Sequence, residues 1–411
     1  MVDKKLVVIG GGAAGVFCAI NAARLNPLLK VIVVEKTGKL LSKVKVSGGG
    51  RCNVTHSCFD IIQMSRQYPR GDHFIKKTFH RFFTTDTIQW FEERGVKLKT
   101  EKDGRMFPVT DSSQTIIECL LKEANHFDVR IKMHAEIKRL GFEQGKFLLT
   151  YSDGSNDSSD FVCIATGGYP KSSMFDWLRE LGHSIEDPVP SLFTFNMPGN
   201  NITKLMGVSV ENARVKIAGS KLVVQGPVLI THWGLSGPAI LRLSALGARE
   251  LAIKQYKFEI AVNWIVDFSD EELKEKFQII RTDSGSQKIS NKNPFGLPQR
   301  LWQFLLESTA IDPDTRWADL PGKAQNKILK SLTSFECSVQ GKTTFKEEFV
   351  TAGGINLSEV NAHSMMSKKI PNLFYAGEVL NVDGITGGYN FQHAWTSGWI
   401  AAASISELAS T

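Results

Sequence analysis

The sequence predicts an α/β protein: a parallel sheet covered by helices on both faces, interrupted by an inserted domain that is β-rich first and helical afterwards. Three observations predict it. Near the N-terminus the apolar run "LVVI" meets three consecutive glycines, Gly10 to Gly12, and continues into the small, apolar stretch "AAGVFCAINAARL". Two more apolar runs, "FVCIA" and "LFYA", are soon stopped by glycine, at Gly167 and Gly377. From about residue 191 to residue 349 the texture changes to alternating apolar and polar residues, then to amphipathic stretches of helical period. Continuous apolar runs suit strands buried on both faces, as in parallel sheets, whereas alternation suits strands with one wet face.

A chain of 411 residues can bury two or three cores. Its 49 Lys and Arg against 42 Asp and Glu leave a formal charge of +7, mildly basic and not polybasic. That charge does not ask for nucleic acid, which is not expected as a partner. The six cysteines show no CxxC and no metal-type pairing with histidine, so a reduced, cytoplasmic chain without a metal site is expected. There is no signal-type N-terminus, and no stretch approaches the roughly 20 apolar residues of a membrane span.

The first element is the strand "LVVI", and the first question is why glycines follow it. Glycine loses more backbone freedom on ordering than any other residue, so a run of it needs a reason. In Gly10-x-Gly12-x-x-Gly15, Gly10 permits a tight turn, Gly12 lets a pyrophosphate approach the backbone, and Gly15, next to Ala14, lets the helix lie close to the strand. The helix N-terminus then offers free N–H groups and a positive dipole end to the phosphates. A second strand, "KVIVV", leads into Glu35 and Lys36. An acid about 20 residues after the glycines can accept hydrogen bonds from ribose hydroxyls. A dinucleotide site is the expectation.

NAD and FAD both fit such a unit, and later stretches decide between them. The strand from Phe161 ends in Ala165-Thr166-Gly167, a stop that returns the chain beneath a dinucleotide in two-dinucleotide-fold flavoproteins. Near the C-terminus a strand over residues 373–376 leads into Gly377 and Glu378, a glycine-rich loop, and a helix from about Phe391. A carboxylate and a helix N-terminus at that point suit ribityl hydroxyls and the edge of a flavin ring. "SGGGRCNVT", residues 47–55, offers backbone donors and one positive charge, Arg51, to the same cofactor.

With "GGGAAG", "SGGGRCNVT", "THWGLSGPAIL" and "GEVLNVDGITGGYNFQHAWTSG" in order along the chain, the sequence resembles the BaiN/RdsA-type NAD(P)/FAD-dependent oxidoreductases, a family that includes aminoacetone-oxidase-like flavoproteins. The resemblance implies a Rossmann-like FAD-binding domain of the glutathione-reductase-like, two-dinucleotide-fold type, built from residues 1–190 and 350–411. It implies an insert over 191–349, β-rich to about 265 and helical over about 268–332. FAD is then expected at Gly10, Gly12, Ala14, Gly15, Glu35 and Lys36, and at Ser47, Gly48, Gly49, Gly50, Arg51, Cys52 and Asn53. Further contacts are expected from Ala165, Thr166, Gly167, Gly377 and Glu378, and from Gly387, Gly388, Tyr389, Asn390 and Phe391. Two positions depart from the family's pattern: Asn381 stands in place of Asp, and His56 in place of Asn.

Cys52 and Cys58 raise the possibility of a redox disulfide near the flavin, but their spacing is not that of the disulfide reductases, and no second GxGxxG follows. In the insert, His232 either donates a proton or hydrogen bond at the substrate face or fixes a strand-to-helix corner. Ser236 is expected to cap the helix that Pro238 opens. His393, Tyr389 and Trp395 are open between flavin contact and core packing. The basic, aromatic stretch "RQYPRGDHFIKKTFHRFF", residues 66–83, is read as the solvated face of amphipathic helices, with Thr85 or Asp86 capping the next helix. The function expected is hydride transfer between a small organic substrate and FAD, with NADH or NADPH as transient donor. The alternatives are an O2-using oxidase of a small amine and a tRNA-modifying flavoprotein.

Overall fold

The structure, a computed structural model, describes residues 4–291, 293–344 and 350–411. It divides into two compact units, one of residues 1–191 with 345–411 and one of residues 192–344.

In the first unit the chain runs through β1 (Lys5–Ile9), α1 (Ala13–Leu25) and β2 (Lys30–Val34). β1 lies at the centre of a five-stranded parallel sheet in the order Leu373–Tyr375, Phe161–Ile164, β1, β2, Arg130–Lys132. Val7 pairs with Val162 on one side and Ile32 on the other. Leu6, Val7 and Val8 are wholly buried, as a strand covered on both faces must be. α1 packs against the C-terminal helix Tyr389–Ser410 so closely that a Cβ at Gly398 would lie 2.7 Å from the Ala14 carbonyl oxygen. The two ends of the chain thus share one core.

Smaller elements complete this unit. Thr55–His56, Arg105–Pro108 and Leu98–Thr100 form one antiparallel sheet, and Ile137–Glu143, Lys146–Tyr151 and Asn156–Ser159 another. Ile185–Ser191 pairs with Val350–Ile355. Two local expectations change. The C-terminal helix begins at Tyr389 rather than about Phe391, with Gly388 as its N-cap. A short helix, Ser42–Gly50, runs into the second glycine cluster from its N-terminal side, and its regular geometry ends at Ser47. The helix expected to be capped by Thr85 or Asp86 is Thr84–Glu92, capped at Phe83. Asp86 sits at its third position and accepts the Phe83 N–H at 2.6 Å. The carboxylate reaches back to an otherwise free amide, so the cap lies two residues before Thr85.

The second unit is a seven-stranded antiparallel sheet in the order Phe335–Gln340, Lys257–Asn263, Ser209–Ile217, Val223–Thr231, Gly234–Ser236, Thr194–Asn196, Lys342–Thr343. Helices Asp270–Asp283, Gln299–Ser308 and Gly322–Thr333 follow the Lys257–Asn263 strand. The chain then returns to the sheet, because "FECSVQ" alternates and buries Cys337 and Val339 against its core. Ser236 ends a strand instead of capping the Pro238–Leu246 helix, and Gly237 takes the cap position at φ +95°. A Cβ there would lie 2.9 Å from the Leu229 nitrogen and the Pro227 oxygen, so the turn excludes any side chain.

Candidate nucleotide site and family

The site is built from the βα turn upward. Gly10 has φ +117°, and a Cβ on it would sit 2.4 Å from the Ala165 carbonyl oxygen. A Cβ on Gly15 would lie 2.0 Å from the Gly10 carbonyl oxygen. These glycines allow the strand, the helix and the Ala165–Gly167 stop to converge. Gly12, by contrast, faces open space. At the N-terminus of α1 the backbone is therefore bare where a phosphate could approach.

Glu35 follows β2, and its carboxylate is held in place. One oxygen accepts the Gly11 N–H at 2.9 Å, and the other accepts the Thr37 N–H and hydroxyl, both at 2.8 Å. It lines a cavity of about 220 Å³ together with Gly10, Lys36, Thr166, Tyr169 and Trp177. The Lys36 ammonium lies 5.7 Å from the centre of the Tyr169 ring. Tyr169, Met174 and Trp177 in this lining escaped the sequence reading. The signal was present in "GGYPKSSMFDW", where apolar and aromatic residues follow the glycine stop without forming a strand or long helix.

The second glycine cluster continues the surface. Gly48, Gly49 and Gly50 all have positive φ, and the last two face open space. The Ser47 carbonyl accepts the Cys52 N–H at 2.9 Å and closes the turn. Arg51 does not stand as a free charge: it pairs with Glu101 at 2.6 Å and stacks over Phe107 at 4.0 Å. Asn53 is buried, and with its amide oriented to satisfy both neighbours it donates to the Thr55 carbonyl and accepts the Gly388 N–H at 2.9 Å, joining this cluster to the C-terminal loop. Cys52 is fully enclosed, and burial pushes its thiol up to about 12 against an opposing Ser47 hydrogen bond. Burial also raises the Cys58 thiol. Both are free thiols held protonated, which is the wrong state for thiol–disulfide exchange.

At the C-terminal end the Glu378 carboxylate accepts the Thr351 N–H at 2.9 Å and pairs with Lys43 at 2.6 Å. The Gly377 carbonyl receives His393 Nε2 at 3.2 Å. Burial pushes His393 down to about 4, the carbonyl opposing, so the ring is neutral and donates. Asn390 brackets Gly384, accepting its N–H at 2.8 Å and donating to its carbonyl at 3.0 Å. Tyr389 stacks on His56 with ring centres 4.9 Å apart, while Phe391 stacks on Trp395 at 5.8 Å. Trp395 is wholly buried and donates to the Val54 carbonyl at 2.9 Å, so it belongs to the core.

His232 lies in the second unit, exposed in the turn between Val223–Thr231 and Gly234–Ser236, with its ring edge-on to Trp233 at 4.3 Å. Among the described residues no group of three His, Cys, Asp or Glu is arranged to hold a metal, and no helix is long and apolar enough to cross a membrane.

Polar atoms beside these elements are buried without a hydrogen-bond partner among the described residues, among them His56 Nδ1, His393 Nδ1, Asn381 Oδ1 and Thr351 Oγ1. Thr351 Oγ1 and Glu378 Oε1 both crowd the position a side chain on Gly168 would take. Bare glycine backbone, a fixed carboxylate in a cavity and orphaned polar atoms are the features a polar, phosphate-bearing dinucleotide would satisfy. The residues present fit FAD.

Comparison with known proteins agrees. The HI0933-like protein Rossmann domain matches residues 4–404. The chain is 29% identical over 406 residues to the ribosomal RNA dihydrouridine synthase of Escherichia coli K12, covering 96% of each. It is 24% identical over 413 residues to the 3-dehydro-bile acid delta(4,6)-reductase of Clostridium scindens, covering 98% of this chain and 99% of that one. Among solved structures, the 3-ketosteroid-delta4-(5alpha)-dehydrogenase of Rhodococcus jostii RHA1 shares the fold, with a TM-score of 0.51, 14% identity and 97% of each chain covered. The chain belongs to the HI0933-like family, the BaiN/RdsA group of FAD-dependent oxidoreductases.

Proposed function

We propose that the first unit holds FAD between the Glu35 cavity and the 384–388 loop, and that the loaded protein reduces a carbon–carbon double bond conjugated to a carbonyl, with NADH or NADPH as transient donor. The observation that carries this reading is the Glu35 carboxylate, fixed by three hydrogen bonds and lining a cavity beside Gly10. In that role Glu35 accepts ribose hydroxyls, and the N-terminus of α1 receives the pyrophosphate. Glu378, held by Thr351 and Lys43, accepts ribityl hydroxyls. The N-terminus of the Tyr389–Ser410 helix offers its dipole to the pyrimidine edge of the flavin. FAD supplies the hydride chemistry when bound.

The substrate class rests on what the two relatives' names have in common. A dihydrouridine is a uridine saturated at a double bond conjugated to a ring carbonyl, and a delta(4,6) 3-dehydro compound has double bonds conjugated to its 3-carbonyl. Reducing such a bond places hydride on one carbon and a proton on the other.

The test is anaerobic mixing of the purified yellow protein with NADH and then NADPH. Bleaching of the oxidised flavin band, and its return on adding a conjugated enone, is the expected result. A band that persists with both nucleotides and bleaches with a small amine would replace the reductase by an amine oxidase.

A second reading, with a base in RNA as substrate, is favoured by one surface. Lys76 and Lys77 on the Asp72–Phe79 helix, with Arg81 just beyond it, are exposed and have no ion-pair partner among the described residues. If they track a phosphate backbone, replacing all three should flatten the salt dependence of RNA binding by a slope of about 2 to 3. An unchanged slope would exclude that surface.

A further inference from the structure

The basic stretch over residues 66–71 has a second role that its composition hides. Arg70 donates through Nε and Nη2 to both carboxylate oxygens of Asp383. Asp383 is wholly enclosed, and its Oδ2 also accepts the buried Ser191 hydroxyl at 2.8 Å. The backbones of Arg70 and Asp383 form an isolated antiparallel bridge. On either side of that pair the same segment grips the same loop. The Ile385 N–H donates to the Gln67 carbonyl at 3.0 Å, and the Tyr68 hydroxyl donates to the Tyr389 carbonyl at 2.6 Å. The Tyr68 ring lies against Gly384, where a Cβ would sit 3.2 Å from it.

Burial alone does not explain a charged pair here. Taking a carboxylate and a guanidinium out of water costs about as much as their attraction returns, and an apolar pair of similar volume would serve stability as well or better. What the planar fork adds is direction: two parallel hydrogen bonds fix both distance and angle. The loop they fix, 384–388, leads directly into the N-terminus of the C-terminal helix.

We propose that Arg70 and Asp383 are positioning residues that set the 384–388 loop, and with it the first turn of the Tyr389–Ser410 helix, against the flavin end of the site. The proposal rests on the reading that this loop borders FAD. Neither side chain need touch the cofactor. Arg70 acts on it through Asp383 and the loop backbone, and is thereby committed to the interior rather than to an anionic partner.

The test uses the full chain carrying D383N, R70K, or the apolar pair R70M/D383L. FAD affinity is read by fluorescence titration of the deflavinated protein, and the flavin by its visible spectrum and midpoint potential. D383N is expected to weaken FAD binding tenfold or more, and R70K, which keeps the charge but not the fork, by less. The apolar pair separates positioning from packing: it is expected to recover wild-type thermal stability while its FAD affinity stays lowered and its spectrum and potential stay displaced. Wild-type affinity, spectrum and potential in the folded apolar pair or in R70K would overturn the proposal. A wild-type chain that takes up no FAD would overturn the proposed function first, and this proposal with it.

Discussion

Two glycine-rich stretches of the first unit, residues 10–15 and 384–388, have similar composition and opposite means of support. The first is held mainly by its sequence neighbours: the Gly10 N–H bonds to Val34, the Gly11 N–H to Glu35, and the Gly11 carbonyl to the Leu41 N–H. The second is held from far away. Arg70 reaches Asp383 across 313 positions and Tyr68 reaches Tyr389 across 321. Asn53 and His56 add contacts to Gly388 and Tyr389 from the same distant part of the chain. A local motif carries its geometry with it, whereas a remote one borrows geometry from segments that only folding brings near.

That difference can be broken at either end. The largest effect is expected at the first stretch. Gly15→Val puts a side chain 2.0 Å from a backbone oxygen, and should cost more than about 3 kcal/mol in urea unfolding, with loss of FAD. Asp383→Ala, which strands the Arg70 charge, should cost about 3 kcal/mol. If Asp383→Ala were nearly neutral while Gly15→Val unfolded the protein, the remote loop would be self-supporting after all.

Acidification probes the C-terminal end in another way. His393 titrates at about 4 in the fold against 6.5 for an unburied ring. Above pH 6.5 it is neutral in both states and its full contribution is present. As pH falls from 6.5 toward 4 the unfolded chain takes up the proton first, so about 3 kcal/mol of stability should be lost across that window. Thermal melts of His393→Gln should lack this part of the decline.

Smaller changes sharpen the comparison. Glu35→Gln removes the charge from the carboxylate proposed to accept the ribose hydroxyls and should weaken FAD binding by about 2 kcal/mol in a fluorescence titration, with the fold intact. Asp86→Ala, which uncaps the Thr84–Glu92 helix, should cost about 1 kcal/mol in urea unfolding.

Much of the site was legible because its signals are local. Gly10, Gly12, Gly15 and Glu35 occur at a spacing set by one strand, one turn and one helix, and the structure brings them together as that spacing requires. The Tyr169 and Trp177 lining was not legible, because its residues sit on irregular chain whose path is fixed by what it packs against. Arg51 looked like a free charge, and its partner Glu101 is 50 positions away. Arg70 looked like surface for the same reason. In both cases charge could be read from the sequence, but the partner could not.

By itself the sequence determined the parallel sheet, the bare glycine turn after its first strand and the nature of the cofactor that suits it. Strand burial, helix period and the exclusion of side chains from a turn act over a few residues, and composition records them. Only the tertiary structure decided which charges are spent internally, which thiols are sealed, and what holds the second glycine loop. Those outcomes depend on desolvation and on pairs hundreds of residues apart, and their energies exist only once the chain has closed around them.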